Sequence, residues 1–344
     1  MRSDMEQKPI TSLEAIRELI QSFPGPDEEA VAATEEREPN LTKPQGSLGR
    51  LEELALWLAA WQGKHPPKLD LPRVIVFAGS HGVTAQGVSA FPDEVNQQMV
   101  ANFQSGGAAI NQLCKVHDAE LNVMEAALEI PTRDFSKEPA MDDADCAEAV
   151  AFGMSGPDVG LDVLCVGEMG IGNTTASAAI CHALYGGEAE DWVGPGTGVE
   201  GEALTNKIRV VKESVLLHKA VLTDGLKILR CFGGREMAAI CGAIISARLS
   251  RIPVLLDGYV TCAAAAVLHA IDEHALDHCV VAHVSAEPGH RRLLEKLGKE
   301  PLFDFGMRLG EGSGAALGIG ILRSAVACHN GMATFEEAAV SNKD

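Results

Sequence analysis

The chain has 344 residues, 46% of them apolar but only 4% aromatic, and a formal net charge of −20. Such a length suggests one large domain plus a smaller one, and a core with few aromatics must be built from small side chains packed closely, which suits helices on a parallel sheet. The charge opposes binding to nucleic acid or to an anionic membrane surface, and no apolar run approaches the ~18 residues a bilayer span requires.

Up to about residue 65 the chain reads as helical. Leu13, Ile16, Leu19 and Ile20 recur at helical spacing, and Leu51 to Trp61 do so again, whereas the Pro-rich, acidic stretch 24–40 between them favours a loop. Met1–Gln7 is polar and lacks a signal-peptide core, so a cytoplasmic setting is expected. The style then changes. Val74–Ala78, Leu161–Val166, Ile252–Leu256 and Val280–Val284 are short buried-strand runs, ending at Gly79, Gly167, Asp257-Gly258 and Ser285. Helical stretches 94–113, 174–185, 205–230 and 234–249 lie among them. Short apolar strands alternating with helices predict parallel βαβ units in an α/β, Rossmann-like sheet flanked by helices. Ligands of such sheets bind outside the C-terminal strand ends. The polar residues there, Ser80-His81, Glu168, Asp257, Ser285 to Glu287 and Glu311, are therefore the natural site candidates. No internal repeat or low-complexity tract is evident.

Nine Cys, an odd number without a C-x-x-C pair, sit mostly in apolar stretches and read as reduced, buried thiols. His274 and His278 are four apart, but Ala275 stands where a zincin helix carries Glu, so no metal site is expected.

Three glycine-rich segments carry the chemistry. Gly167-Glu168-Met169-Gly170-Ile171-Gly172-Asn173-Thr174-Thr175 follows a strand and opens a helix, where free backbone N–H groups and the helix dipole favour an anion. Asn173 or Thr174 is placed to cap that helix while the other contacts phosphate. The segment is not a dinucleotide fingerprint, because Thr175 stands where the third Gly belongs, and no Gly-Lys-Ser/Thr makes it a Walker loop. A small phosphate ester is the better fit. Gly194-Pro195-Gly196-Thr197-Gly198 offers either a second nest for anions or a plain turn, and Lys207 follows on a helix that brings positive charge near. In Met307-Arg308-Leu309-Gly310-Glu311-Gly312-Ser313-Gly314 a single carboxylate is enclosed by glycines, exposed to a cleft and rigidly placed, as a general base or an ion-stabilising group should be. Lys43-Pro44-Gln45-Gly46-Ser47-Leu48-Gly49-Arg50-Leu51-Glu52 is a turn feeding a helix and suggests a structural role.

Taken together, K-P-x-G-S-L-G-R-L-E (43–52), H-G-V-x-x-x-G-V-S (81–89), G-E-M-G-I-G-N-T-T (167–175), L-L-D-G (255–258), H-x-S-A-E (283–287) and M-R-L-G-E-G-S-G-A-A-L (307–317) resemble the nicotinate-nucleotide:dimethylbenzimidazole phosphoribosyltransferases of cobalamin biosynthesis. The likeness runs in order over about residues 41–340. It implies an α/β catalytic domain over 66–324 with a small helical domain built from 1–65 and 325–344, assembled as a homodimer. It also implies transfer of a phosphoribosyl group from nicotinate mononucleotide to a benzimidazole, with inversion, and with neither cofactor nor metal, since a pyridinium already leaves well.

By the same resemblance Glu311 is the general base, and Glu168 stabilises positive charge on the ribose or shares the base's role. A positioned carboxylate contributes roughly 10²–10⁴-fold. Burial would raise the Glu311 pKa and a helix N-terminus lower it; the sequence leaves that contest open. Gly170, Gly172, Asn173, Thr174, Thr175, Gly196, Thr197, Gly198, Lys207, Ser285 and Gly310 are expected to hold phosphate and ribose. Ser80, Phe91, Met99 and Leu309 are expected to line the base pocket. One departure is Ser80, where the family usually carries Asp before His81-Gly82; the acceptor therefore stays open to another benzimidazole, a purine or a phenol. A pyrophosphate-dependent transferase lacks its second acid and Thr-Gly run here, an oxidoreductase lacks its fingerprint, and a non-catalytic subunit is opposed by the presence of both glutamates.

Overall fold

The computed structural model describes residues 10–341; the polar segment Met1–Gln7 and residues 342–344 lie outside them. Five strands, β1 (Pro72–Ala78), β2 (Glu120–Glu125), β3 (Val163–Met169), β4 (Val254–Leu256) and β5 (Cys279–Val281), form one wholly parallel sheet in the order β2-β1-β3-β4-β5. Ala78 pairs with both Glu125 and Met169, and Leu256 with both Val166 and Val281, so the strands finish near a common edge.

Side chains alternate between the faces. Ile75, Phe77, Leu164, Val166, Leu256 and Val281 join the larger core, while Val74, Val76, Val163, Cys165, Leu255 and Val280 join a second one. Both faces are covered, which is why the runs are legible as continuous apolar strands. The larger core takes helices Asp143–Met154, Asn173–Tyr185, Arg235–Leu249 and Tyr259–His269; the second takes Arg50–Gln62, Ala109–Val116 and Ser313–Gly331. Small residues set the spacing. A Cβ on Gly153 would strike the Ala239 backbone and one on Gly242 the Val150 carbonyl, so helices Asp143–Met154 and Arg235–Leu249 meet backbone to backbone.

Several boundaries differ from the sequence reading. The expected loop 24–40 contains helix Glu28–Arg37, capped by the Asp27 side chain; it buries only Ala30 and Thr34, too little to leave an apolar stripe. The stretch 205–230 is two helices, Gly201–His218 and Gly225–Phe232, the second capped by Asp224. The stretch 94–113 breaks at Gly106-Gly107 between Glu94–Ser105 and Ala109–Val116. Strand β3 runs two residues past Gly167, so Glu168 stands on the strand itself. Edge strand β2, half exposed and polar at both ends, carries no readable signal.

The segment 37–41 meets the segment 329–334. Arg37 donates to the carbonyls of His329, Asn330 and Met332, and Leu41 forms an antiparallel bridge with Thr334. Lys43, 9% exposed, donates to Glu38 and Glu52, and Glu38 also meets His329, which gives the 43–52 turn its structural role. Helix Leu13–Gln21 instead inserts Leu13, Ile16 and Ile20 into the larger core. No helix among the described residues is long and apolar enough to cross a membrane.

Candidate active site

Strand order reverses direction between β1 and β3, which makes their C-terminal ends the topological switch point. A cleft of about 280 Å³ opens over the C-terminal ends of β3, β4 and β5. It is lined by Glu168 to Ile171, Asn173 and Thr174 after β3, by Asp257 to Val260 after β4, and by His283, Ser285 and Glu287 after β5. Gly196, Thr197, Phe91 and Arg308 to Gly310 complete it.

Its deep side is a group of buried carboxyls. Glu168 accepts from Asn173 Nδ2, and a side chain on Gly310 would collide with its Oε1. Burial, then the charges of Asp257 and Glu236, push the Glu168 carboxyl up to about 8. Asp257 caps the last helix, its Oδ2 accepting from Gly312 N at 3.2 Å and its Oδ1 from Ala315 N at 3.0 Å. His283 Nε2 stands 3.6 Å from Asp257 Oδ1. Gly310, Glu311 and Gly312 have φ of 85°, 63° and 77°. A glutamate in that region is strained, and such strain clusters at working sites. The turn is pinned where Glu311 N donates to the Glu168 carbonyl at 3.2 Å.

Glu311 departs from expectation in one respect: its side chain is only 5% exposed and does not line the open cleft. Burial raises its carboxyl affinity for protons, opposed by a hydrogen bond from the Ile110 backbone. Burial therefore wins, and the helix N-terminus opposing it is that of Ala109–Val116 rather than the adjoining helix. Among the described residues Glu311 Oε2 has no hydrogen-bond partner.

The other side is a cradle suited to phosphate. Lys207 is fully buried and gives Nζ to Thr174 Oγ1 and to the Gly194 carbonyl, each at 2.9 Å. Burial lowers its pKa to about 8. Glu287 Oε1 accepts from Gly196 N at 2.9 Å, and Arg308 Nη1 donates to the Gly196 carbonyl at 2.8 Å. The 194–198 loop is thereby fixed from three directions.

Of the expected residues, Glu168, Gly170, Asn173, Thr174, Gly196, Thr197, Ser285, Leu309, Gly310 and Phe91 line the cleft. Gly172, Thr175, Gly198, Lys207, Ser80, Met99 and Glu311 do not. Gly172 is the helix N-cap, at φ 96°, so neither Asn173 nor Thr174 caps the helix; they bind Glu168 and Lys207 instead. Ser80 is buried, donating to the Leu128 carbonyl at 2.7 Å and accepting from Asn96 at 3.2 Å. Met99, half-buried, packs on the second core. Sequence reasoning missed Asn96, whose Oδ1 receives Ile171 N at 2.8 Å, and the pair His81–Glu236. Asn96 and Glu236 lie on helices distant in sequence, where nothing local marks them.

A family model described as phosphoribosyltransferase matches residues 23–340. A nicotinate-nucleotide–dimethylbenzimidazole phosphoribosyltransferase of Methylocella silvestris is 59% identical over 331 residues, covering 96% of this chain and 97% of that protein. One of Rhizobium meliloti is 58% identical over 328 residues, covering 95% and 97%. The crystal structure of CobT from Thermus thermophilus superposes with a TM-score of 0.85 at 39% identity, over 92% of this chain and 100% of that one. The matches run along nearly the whole length, and the chain belongs to the nicotinate-nucleotide–dimethylbenzimidazole phosphoribosyltransferase family.

Proposed function

We propose that the protein moves the 5-phosphoribosyl group of nicotinate mononucleotide to 5,6-dimethylbenzimidazole or a related base, with inversion, in assembling the nucleotide loop of cobalamin. The products are α-ribazole 5′-phosphate and nicotinate. The observation that carries the reading is one cleft with two unlike sides: the 194–198 loop with Thr174 and Arg308, backed by the buried Lys207 ammonium, for a phosphate ester, and the buried carboxyls Glu168 and Asp257 opposite it.

The phosphate rests against the 194–198 loop and Thr174, with Lys207 behind them fixing both. Ser285 and Gly310 border the ribose. The acceptor ring inserts beyond the open cleft, beside Met169, which also packs on the apolar group Ala78, Val100 and Leu128. Its nitrogen attacks C1′ as the bond to the pyridinium breaks, and that electron pair returns to the nicotinate ring. The proton on the other acceptor nitrogen passes to Glu311, whose free Oε2 and raised affinity suit a base near neutral pH. Glu168, ionised as pH approaches 8, stabilises positive charge at C1′ or shares the base's role. Holding both substrates in line supplies several kcal/mol more.

The reading includes a homodimer, a helical unit formed by 1–65 and 325–344, and a cytoplasmic setting. The Arg37 bonds to the last helix support the helical unit, and the unpaired thiols support the cytoplasmic setting. The test is mass-spectrometric analysis after mixing the protein with nicotinate mononucleotide and dimethylbenzimidazole. Nicotinate together with a phosphoribosylated benzimidazole is expected. Product only with adenine or phenols would move the acceptor, and no product with any of them would leave a non-catalytic subunit.

A further inference from the structure

We propose that His81 and Glu236 form a buried positioning pair that locks the C-terminal ends of β1 and β3 together beneath the cleft and sets the electrostatic surroundings of Glu168. This rests on the transferase reading above and adds two residues to it.

The geometry is specific. His81 Nε2 and Glu236 Oε1 are 2.6 Å apart, with His81 2% exposed and Glu236 wholly buried. His81 stands just after β1, and Glu236 lies in the first turn of helix Arg235–Leu249, where the dipole favours a carboxylate. Three backbone segments close around the pair, each at a glycine. A Cβ on Gly79 or Gly234 would run into Glu236 Oε2, and one on Gly170 would sit 3.3 Å from both Glu236 Oε1 and His81 Nε2. Gly79 follows β1, Gly170 follows Glu168 and Met169, and Gly234 opens the helix. The pair is thus the post around which three site-forming turns are wound.

A packing role does not account for it. Among the described residues Glu236 Oε2 and His81 Nδ1 have no hydrogen-bond partner, and leaving buried polar atoms unpaired is destabilising. The pair is placed to act on Glu168 instead. Three ionisable groups bear on that carboxyl: Glu236 from its helix, Asp257 after β4 and Glu311 from the turn before Ser313. Asn173 donates to it directly. The negative charge of Glu236 is among the causes that raise its proton affinity. Removing that charge while keeping the hydrogen bond to His81 lowers the pH at which Glu168 ionises.

The experiment uses the full chain and compares wild type, Glu236→Gln and Glu236→Asp over pH 5.5 to 9.5. For Glu236→Gln, kcat is expected to fall at least tenfold with the mononucleotide KM within about twofold. The acidic limb of kcat/KM should move down by about one pH unit, as expected for loss of a nearby like charge. Glu236→Asp should restore the limb. A wild-type limb in Glu236→Gln overturns the proposal, as does activity lost in both variants in step with melting temperature and without a limb shift. Wild-type turnover is the separate check on the transferase reading. Should it be absent, the Glu168 carboxyl band in the infrared, assigned by its loss in Glu168→Gln, reports the same shift without catalysis. Should Glu236→Gln not fold, His81→Gln replaces it, and a Glu168 midpoint that stays at the wild-type value overturns the proposal.

Discussion

Between two glycines, Glu311 keeps a left-handed backbone that only a demanding site would retain, and its carboxyl is buried with one oxygen unpartnered. Glu311→Gln preserves shape and backbone, so kcat is expected to drop by roughly 10²–10⁴ with melting temperature little changed; steady-state kinetics beside calorimetry check this, and near wild-type turnover would remove it as the base. Glu168 makes a prediction about stability. Its folded-state pKa is raised to about 8, so the stability it contributes is complete below its unfolded value and is lost as pH climbs toward 8. Melting temperature should decline over that window, and Glu168→Gln should flatten the decline. Lys207 does not itself line the open cleft but holds Thr174, which does, and Gly194. Lys207→Ala is therefore expected to raise the mononucleotide KM tenfold or more, with a smaller change in kcat. At this scale the sequence is most informative where glycines flank a polar residue on the strand-end side of an apolar run. It is silent where the partner lies far along the chain: Glu236 is 155 residues from His81, and Asn96 is 75 from Ile171.

Helices and strands are positioned here by absent side chains as much as by present ones. Gly153 and Gly242 let helices Asp143–Met154 and Arg235–Leu249 touch along their backbones. Gly242→Ala forces them apart and should cost about 1–3 kcal/mol in denaturant unfolding. Because the second helix carries Glu236, activity should fall further than the folded fraction alone explains. The other four strands, β1, β3, β4 and β5, are readable because both faces are buried and the runs are unbroken. Strand β2 is not, since at the edge its Glu120 and Glu125 face solvent and only its middle is half-covered. Helix Glu28–Arg37 escapes the sequence reading for a related reason: its acidic, alanine-bearing surface offers almost no apolar period, and what fixes it is a cap and a neighbour rather than a stripe. Where a single helix is expected over 205–230, the Asp224-Gly225 pair restarts it; a capping Asp in mid-pattern is a stop signal that outweighs periodicity.

The molecule as a whole leaves Phe91, Phe305 and Leu309 more than half exposed, two of them lining the cleft. Sedimentation equilibrium is expected to give twice the 36.3 kDa chain mass, and a monomer at micromolar concentration would withdraw the homodimer from the proposal. The interior also carries a built-in reporter. Eight of the nine cysteines are buried and unpaired, and burial above all pushes the Cys114, Cys146, Cys181 and Cys279 thiols up to about 12; Cys328 is the half-exposed exception. Since the thiolate is the reactive form, a thiol reagent should find one ready partner in the folded chain and the other eight only as segments open. Cys165 on β3, Cys241 on the helix of Glu236 and Cys262 behind Asp257 sit under the parts of the cleft discussed above. The order in which they become alkylated would thus time the breathing of each wall of the site, with no label added.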